Sequence, residues 1–159
     1  MATLYTTTDS PIGELLLVGD GTALSALYMQ AGRRKRIDPS WERSQAAFAA
    51  AIAQLGEYFA GERRDFDLPL APRGADFQLR AWQALREIPY GETWSYGELA
   101  RHIGRPTGSR AVGMANGRNP VSIVVPCHRV IGANGTLTGY AGGLERKQQL
   151  LELEQDALF

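Results

Sequence analysis

One cysteine and two histidines are all that this 159-residue chain has of those residue types. A lone Cys127 cannot form an intramolecular disulfide, and one cysteine with two histidines falls short of the four nitrogen and sulfur ligands of the usual structural zinc site. A reducing, cytoplasmic compartment and no metal are expected. No apolar run approaches the length needed to span a bilayer, and the opening residues lack a positive segment followed by an apolar stretch. A soluble protein with no membrane partner is therefore expected. Internal repeats and low-complexity segments are also missing. Net charge is zero, from 17 Lys plus Arg against 17 Asp plus Glu, so the overall balance does not call for a polyanionic partner. Acidic residues are nevertheless absent between Glu98 and Glu145, where Arg101, Arg105, Arg110, Arg118 and Arg129 fall. One face or loop system is thus locally cationic.

What is present reads as two lobes. Leu4 to Thr8, Leu15 to Val18 and Leu24 to Met29 alternate with the turn signals Asp9-Ser10-Pro11 and Gly19-Asp20-Gly21, which predicts a small antiparallel meander. Ser44 to Phe59 has helical apolar spacing on Ala47, Phe48, Ala51, Ile52, Leu55 and Phe59, stopped by Gly61. Phe66 to Pro72 reads as a short strand entering a Pro-marked linker, which places the boundary between lobes of residues 1–72 and 73–159. Phe77 to Ile88 is an amphipathic helix stopped by Pro89-Tyr90-Gly91. Ser95 and Glu98 have capping-box spacing for a helix from Tyr96 to Gly104, and a second short helix runs from Thr107 to about Asn116. Two short helices around a tight turn make a helix-turn-helix candidate. The second is poor in bulky side chains, which lets a groove wall come close. A last amphipathic helix spans Leu144 to Leu153.

The only thiol sits directly after Pro126 and directly before His128. Arg129 and His128 can each hold a nearby thiol as thiolate, the nucleophilic form, and Pro126 fixes the backbone that presents it. Neighbouring side chains point apart, so His128 is expected to act on Cys127 through a bridging water, with a carboxylate orienting its other ring nitrogen. Glu154 is a candidate orienter, and Glu145, Glu152 and Asp156 compete with it. A lone cysteine has no resolving thiol for dithiol redox chemistry. Attack on an alkyl carbon would give a thioether with no easy hydrolytic exit, so such a protein would react once.

Val125-Pro126-Cys127-His128-Arg129-Val130-Ile131 resembles the active-site signature of the methylated-DNA-protein-cysteine methyltransferases, or O6-alkylguanine-DNA alkyltransferases. The resemblance extends through Arg110-Ala111-Val112-Gly113, Asn119-Pro120-Val121 and Gly139-Tyr140-Ala141-Gly142-Gly143-Leu144, most of residues 77 to 155. The N-terminal lobe is similar to the family only in its strand and helix layout. The resemblance implies an α+β fold: a ribonuclease H-like N-terminal lobe of small antiparallel sheet with helix, then a mainly helical, winged-helix-like C-terminal lobe. It implies irreversible, single-turnover transfer of an alkyl group from O6-alkylguanine, and from O4-alkylthymine, in double-stranded DNA to Cys127. The base would be flipped into the site, with no cofactor and a monomer in the absence of DNA.

It also implies roles. Cys127 is the nucleophile, His128 the water-mediated base, Glu154 its partner, and Asn119 the brace of the active-site turn. Tyr96 crowds the target phosphate and reaches the guanine, and Lys147 orders the loop and its electrostatics. Arg110 is the finger that replaces the flipped base. Backbone carbonyls of Cys127 and Val130 read the guanine amine, the Ala141 N–H donates to O6, and Tyr140 and Trp94 line the pocket. Thr107, Ser109, Ala111, Gly113, Asn116 and Arg118 join Arg110 on DNA. Three features depart from some relatives: N-terminal zinc ligands are absent, Ala141 stands where serine can occur, and Asn116 stands where a bulky apolar residue can occur. A non-catalytic damage sensor and a cysteine hydrolase or acyltransferase are the rival functions. His102 and the loop Arg33 to Arg36 read as solvated surface.

Overall fold

Leu15, Leu16, Leu17 and Val18 are all buried, because their strand lies inside the N-terminal sheet with both faces covered. In the computed structural model, which describes residues 2–30, 34–140 and 142–157, β1 (Leu4–Thr8), β2 (Leu15–Gly19) and β3 (Leu24–Met29) form the expected antiparallel meander. A two-residue strand not foreseen from sequence, β4 (Glu42–Arg43), pairs parallel with β1, giving the order β3-β2-β1-β4. Leu15, Leu17, Leu27 and Met29 face the main core. Leu16, Val18 and Ala26 point the other way into a small second cluster closed by Tyr5, Tyr28, Ile37 and Trp41, as the two-residue side-chain period of a strand requires.

The helix expected from Ser44 to Phe59 is broken near its start. A 3₁₀ turn over Ala46–Phe48 precedes α1 (Ala49–Phe59), and Phe48, at φ −116° and ψ 16°, leaves the helical region between them. Phe66 to Pro72 is not a strand: only Leu70 forms a bridge, to Leu24. Pro69 and Pro72 carry no N–H and cannot complete a ladder. The Leu24 N–H donates to the Pro69 carbonyl at 2.8 Å and the Ala71 N–H to that of Leu24 at 2.9 Å. Further along the same outer edge of β3, the Leu27 N–H donates to the Pro120 carbonyl at 2.8 Å and the Ser122 N–H to that of Leu27 at 3.2 Å. The sheet edge thereby leans on the segment that leads into the cysteine.

In the C-terminal half, α2 (Asp76–Leu85) ends three residues before the expected Ile88, where Arg86, Glu87 and Ile88 tighten into bonds to the third residue back. Next come β5 (Trp94–Ser95), α3 (Tyr96–His102), α4 (Ser109–Gly117), β6 (Val130–Ile131), parallel to β5, and α5 (Leu144–Asp156). The capping box at α3 is formed: the Glu98 N–H donates to Ser95 Oγ and the Ser95 N–H to Glu98 Oε1, both at 3.1 Å. At its other end Arg105 donates to the Ala100 carbonyl and Gly104, at φ +79°, to that of Arg101. This Schellman closure needs the left-handed glycine. α3 and α4 are the two members of the helix-turn-helix, and Trp82 Nε1 donates to the Ala115 carbonyl at 2.8 Å, tying α2 to α4. Among the described residues no helix is long and apolar enough to cross a membrane.

Candidate active site

Two tight reversals of opposite hand set the cysteine in place. The Val124 N–H donates to the Ser122 carbonyl at 2.8 Å across Ile123, whose φ is +71°, and the Cys127 N–H donates to the Val125 carbonyl at 2.8 Å across Pro126 at φ −80°, ψ 64°. These are successive γ-turns. The first is the uncommon, strained form, here at a buried β-branched residue. Asn119 holds the region together: its amide nitrogen donates to the Val125 carbonyl at 2.9 Å and, at 3.4 Å, to that of Val121, while its oxygen accepts from the Val121 N–H at 3.0 Å. Cys127, His128 and Arg129 then form one 3₁₀ turn, so the adjacent thiol and imidazole diverge.

His128 and Glu154 are completely buried. His128 Nε2 lies 2.7 Å from Glu154 Oε2. Burial would raise the Glu154 carboxyl, but the hydrogen bond of His128, its charge once it is protonated in acid, and then the hydrogen bonds and charge of Arg129 outweigh it and hold the pKa at about 2. An ionised carboxylate can only accept, so the His128 proton resides on Nε2 and Nδ1 keeps the free lone pair. Nδ1 is buried without a protein partner. Burial also lowers the His128 pKa, against the opposing pull of Glu154, so the imidazole is neutral at pH 7.

The rest of the Glu154 shell corrects one expectation. Arg129 does not serve the thiol: its Nε donates to Glu154 Oε1 at 2.9 Å, its Nη2 to Oε2 at 3.0 Å and its Nη1 to the Ile88 carbonyl at 2.7 Å. It is buried and therefore lies outside the cationic surface formed by Arg101, Arg105, Arg110 and Arg118, all exposed. Nor is the thiol held as thiolate at rest. Cys127 is 4% exposed, and burial pushes its pKa up against the Asn119 amide, the Lys147 charge and the Tyr140 hydroxyl. Burial raises the Tyr140 phenol strongly and lowers Lys147. Lys147 Nζ donates to the Thr138 carbonyl at 3.2 Å, and Tyr96 Oη pairs with the Thr138 hydroxyl. Two anchors thus fix the chain just before Tyr140. Ala141, expected to donate to O6, lies outside the described residues, as does Arg33.

On α4, Val112, Ala115 and Asn116 are buried, whereas Ser109, Arg110, Ala111 and Met114 are exposed, together with Thr107 before the helix and Arg118 after it. Asn116 is a second correction. It faces inward, its amide donating to the Cys127 carbonyl at 3.4 Å, so it does not belong to the outer face. Gly113 turns toward Tyr96, where an added Cβ would stand 3.5 Å from the ring. Trp94 packs against His102 with ring centroids 4.8 Å apart and planes tilted by 51°, and His102 pairs with Glu87 on the surface. Val130 is buried in β6 beside Trp94.

Sequence reasoning missed Tyr58, whose hydroxyl donates to Glu154 Oε2 at 2.6 Å, and Met114, 55% exposed on the outer face of α4. Tyr58 follows Leu55 by three residues, the helical spacing that marks a core face. Met114 is the one large apolar side chain in a helix otherwise short of them, apart from Val112. Among the described residues no three His, Cys, Asp or Glu side chains converge as metal ligands would.

Fold and site together define a protein with a cysteine, histidine and carboxylate arrangement mounted behind a helix-turn-helix. Residues 76–156 match the DNA binding domain of 6-O-methylguanine DNA methyltransferase, and residues 3–72 its ribonuclease-like domain. The chain is 57% identical over 151 residues to a methylated-DNA-protein-cysteine methyltransferase of Mycolicibacterium paratuberculosis, covering 95% of this chain and 92% of the relative. It is 54% identical over 151 residues to one of Methanosarcina acetivorans, covering 94% and 97%. The crystal structure of Mycobacterium tuberculosis OGT in complex with DNA matches with a TM-score of 0.91 at 55% identity, covering 97% of this chain and 94% of that one. The chain belongs to the 6-O-methylguanine DNA methyltransferase family.

Proposed function

We infer that this protein repairs DNA by direct reversal, moving the alkyl group of O6-alkylguanine, and of O4-alkylthymine, onto Cys127 once per molecule. The observation that supports this best is the neutral His128, clamped through Nε2 by an ionised Glu154 and left with a free Nδ1 one residue from the only thiol. A water bridging Nδ1 and Sγ would carry the thiol proton to the imidazole as sulfur attacks the alkyl carbon. The C–O6 bond breaks as the S–C bond forms, and the guanine regains its N1 proton. In the net reaction the alkyl group replaces the thiol hydrogen. The buried thiol makes the relay necessary, since the nucleophile must be generated as it reacts. No cofactor enters that balance.

DNA is the partner, and the outer face of α4 is its seat. Thr107, Ser109, Arg110, Ala111, Met114 and Arg118 are presented there, with Arg110 taking the place of the everted base and Met114 and Ala111 supplying apolar contact in the groove. A base reaching Cys127 displaces Tyr140, whose hydroxyl lies beside the thiol and Ser122. Asn119 and Asn116 brace the turn, Lys147 and Tyr96 anchor the chain through Thr138, and the carbonyls of Cys127 and Val130 and the Ala141 N–H read the purine edge. Trp94 supports this pocket from β5. The lobes divide at residues 72 and 73, and the protein acts as a cytoplasmic monomer until it meets DNA.

Incubation with a duplex containing O6-methylguanine, followed by intact mass and peptide mapping, tests this function. The expected result is a gain of one methylene unit at Cys127, saturating at one event per molecule. Tight binding with no mass change would make it a damage sensor. Repeated ester cleavage with the oligonucleotide ignored would make it a hydrolase.

A further inference from the structure

Glu154 Oε2 accepts from three donors on two parts of the chain: His128 Nε2 at 2.7 Å, Arg129 Nη2 at 3.0 Å and the Tyr58 hydroxyl at 2.6 Å. His128 and Arg129 belong to the turn that bears the cysteine, but Tyr58 comes from α1, 96 residues away in the N-terminal lobe. Its side chain is completely buried, with Phe59 and Phe66 each 5.3 Å from its ring and Tyr90 at 6.2 Å. The aromatic shell fixes the ring, so the hydroxyl has one available aim.

Resting on the alkyl-transfer reading above, we propose that Tyr58 is a positioning residue for the reaction: it donates to the carboxylate oxygen that orients His128 and so sets how readily His128 takes the thiol proton. A carboxylate oxygen shared among three donors is a weaker acceptor for each than one shared between two. Removing the Tyr58 donor leaves more charge on the oxygen facing His128 and favours the imidazolium. Other groups around this pair are unchanged by that removal: Arg129 beside Glu154, Tyr90 and the Gly91 N–H from the turn before β5, Arg64 over the Tyr90 ring, and Lys147 from α5. The N-terminal lobe would in this way tune the reaction through Glu154.

The test uses Tyr58→Phe in the full chain, with two readouts. One is the acid limb of the rate of transfer from O6-methylguanine duplex to Cys127. It moves to higher pH by roughly half to one unit, three- to tenfold in the protonation equilibrium. The other is the His128 Nε2 proton resonance at neutral pH, which moves downfield as the carboxylate accepts more strongly, while His102, the only other histidine, stays where it was. Tyr58 replaced by 3-fluorotyrosine, a stronger donor that retains the packing, moves both readouts the opposite way and serves if the Phe variant does not fold. An unmoved resonance and limb in a folded variant would overturn the assignment and leave Tyr58 as core packing. The unsubstituted protein in the same assay tests transfer itself, and its failure to transfer would overturn the underlying function instead.

Discussion

Glu154→Gln is the perturbation that most directly weighs the buried network. The side chain is 1% exposed and accepts from His128, from Tyr58 and from Nε and Nη2 on one edge of the Arg129 guanidinium. Glutamine matches its shape but removes the charge and turns one acceptor into a donor that faces donors. With the carboxyl held at about 2 in the folded protein, against an ordinary value of 4.5, ionisation favours the folded state. The charge of His128 adds to that depression only once the imidazole is protonated, so at neutral pH the contribution rests on the hydrogen bonds and on the Arg129 pair. Stranding the buried Arg129 guanidinium costs about 3–5 kcal/mol, which sets the size of the expected loss. The sign follows from the depressed pKa: the contribution is complete above pH 4.5 and is lost as pH falls through 2. His128, lowered by burial, erodes stability in the same direction starting below its ordinary 6.5. Urea unfolding followed by tryptophan fluorescence should show the variant less stable by about 3 kcal/mol at pH 7, with the gap narrowing between pH 4.5 and 2. A gap below about 1 kcal/mol at pH 7, or one that stays constant on acidification, would refute the assignment of Glu154 as the charged hub.

Cys127→Ser should abolish transfer in the mass assay while the affinity for duplex, read by fluorescence anisotropy, stays within about twofold; lost binding would mean that the thiol is chiefly structural. Arg110→Ala should slow repair of duplex at least about tenfold more than reaction with free O6-benzylguanine, because only the duplex needs a stand-in for the everted base, and equal losses would rule out that role. Asn119→Ala removes both partners of Val121 and Val125 at the turn and should cost about 2–3 kcal/mol in urea unfolding, with a cost under about 0.5 kcal/mol showing that the γ-turns hold without it.

Local patterns were the ones read correctly from sequence. The capping box of Ser95 and Glu98 and the meander of β1 to β3 depend on neighbours a few residues apart, and both stand as expected. Glu154 was one of four acids in contention, yet α5 buries Lys147, Leu150 and Glu154 at spacings of three and four while Glu145, Glu152 and Asp156 are exposed. The face of the helix could have chosen among them. The same test on α4 puts Asn116 with Val112 and Ala115, on the inside. Arg129 was misread for a different reason: arginine is seldom buried, and only the folded chain shows Glu154 waiting for it 25 residues away. β4 has no local signal at all, since two residues become a strand only because β1 lies alongside.

The outer rim of β3 has a larger consequence. Its peptide groups are shared between a stretch that ends the first 72 residues and a stretch that ushers in the nucleophile, so each piece finishes the other's hydrogen-bond ladder. Scission at the junction would leave one fragment with an open, sticky strand and the other with an unsupported catalytic bend. Such a chain should melt in a single cooperative transition, with damage to that rim passed on to the turn that carries the sulfur.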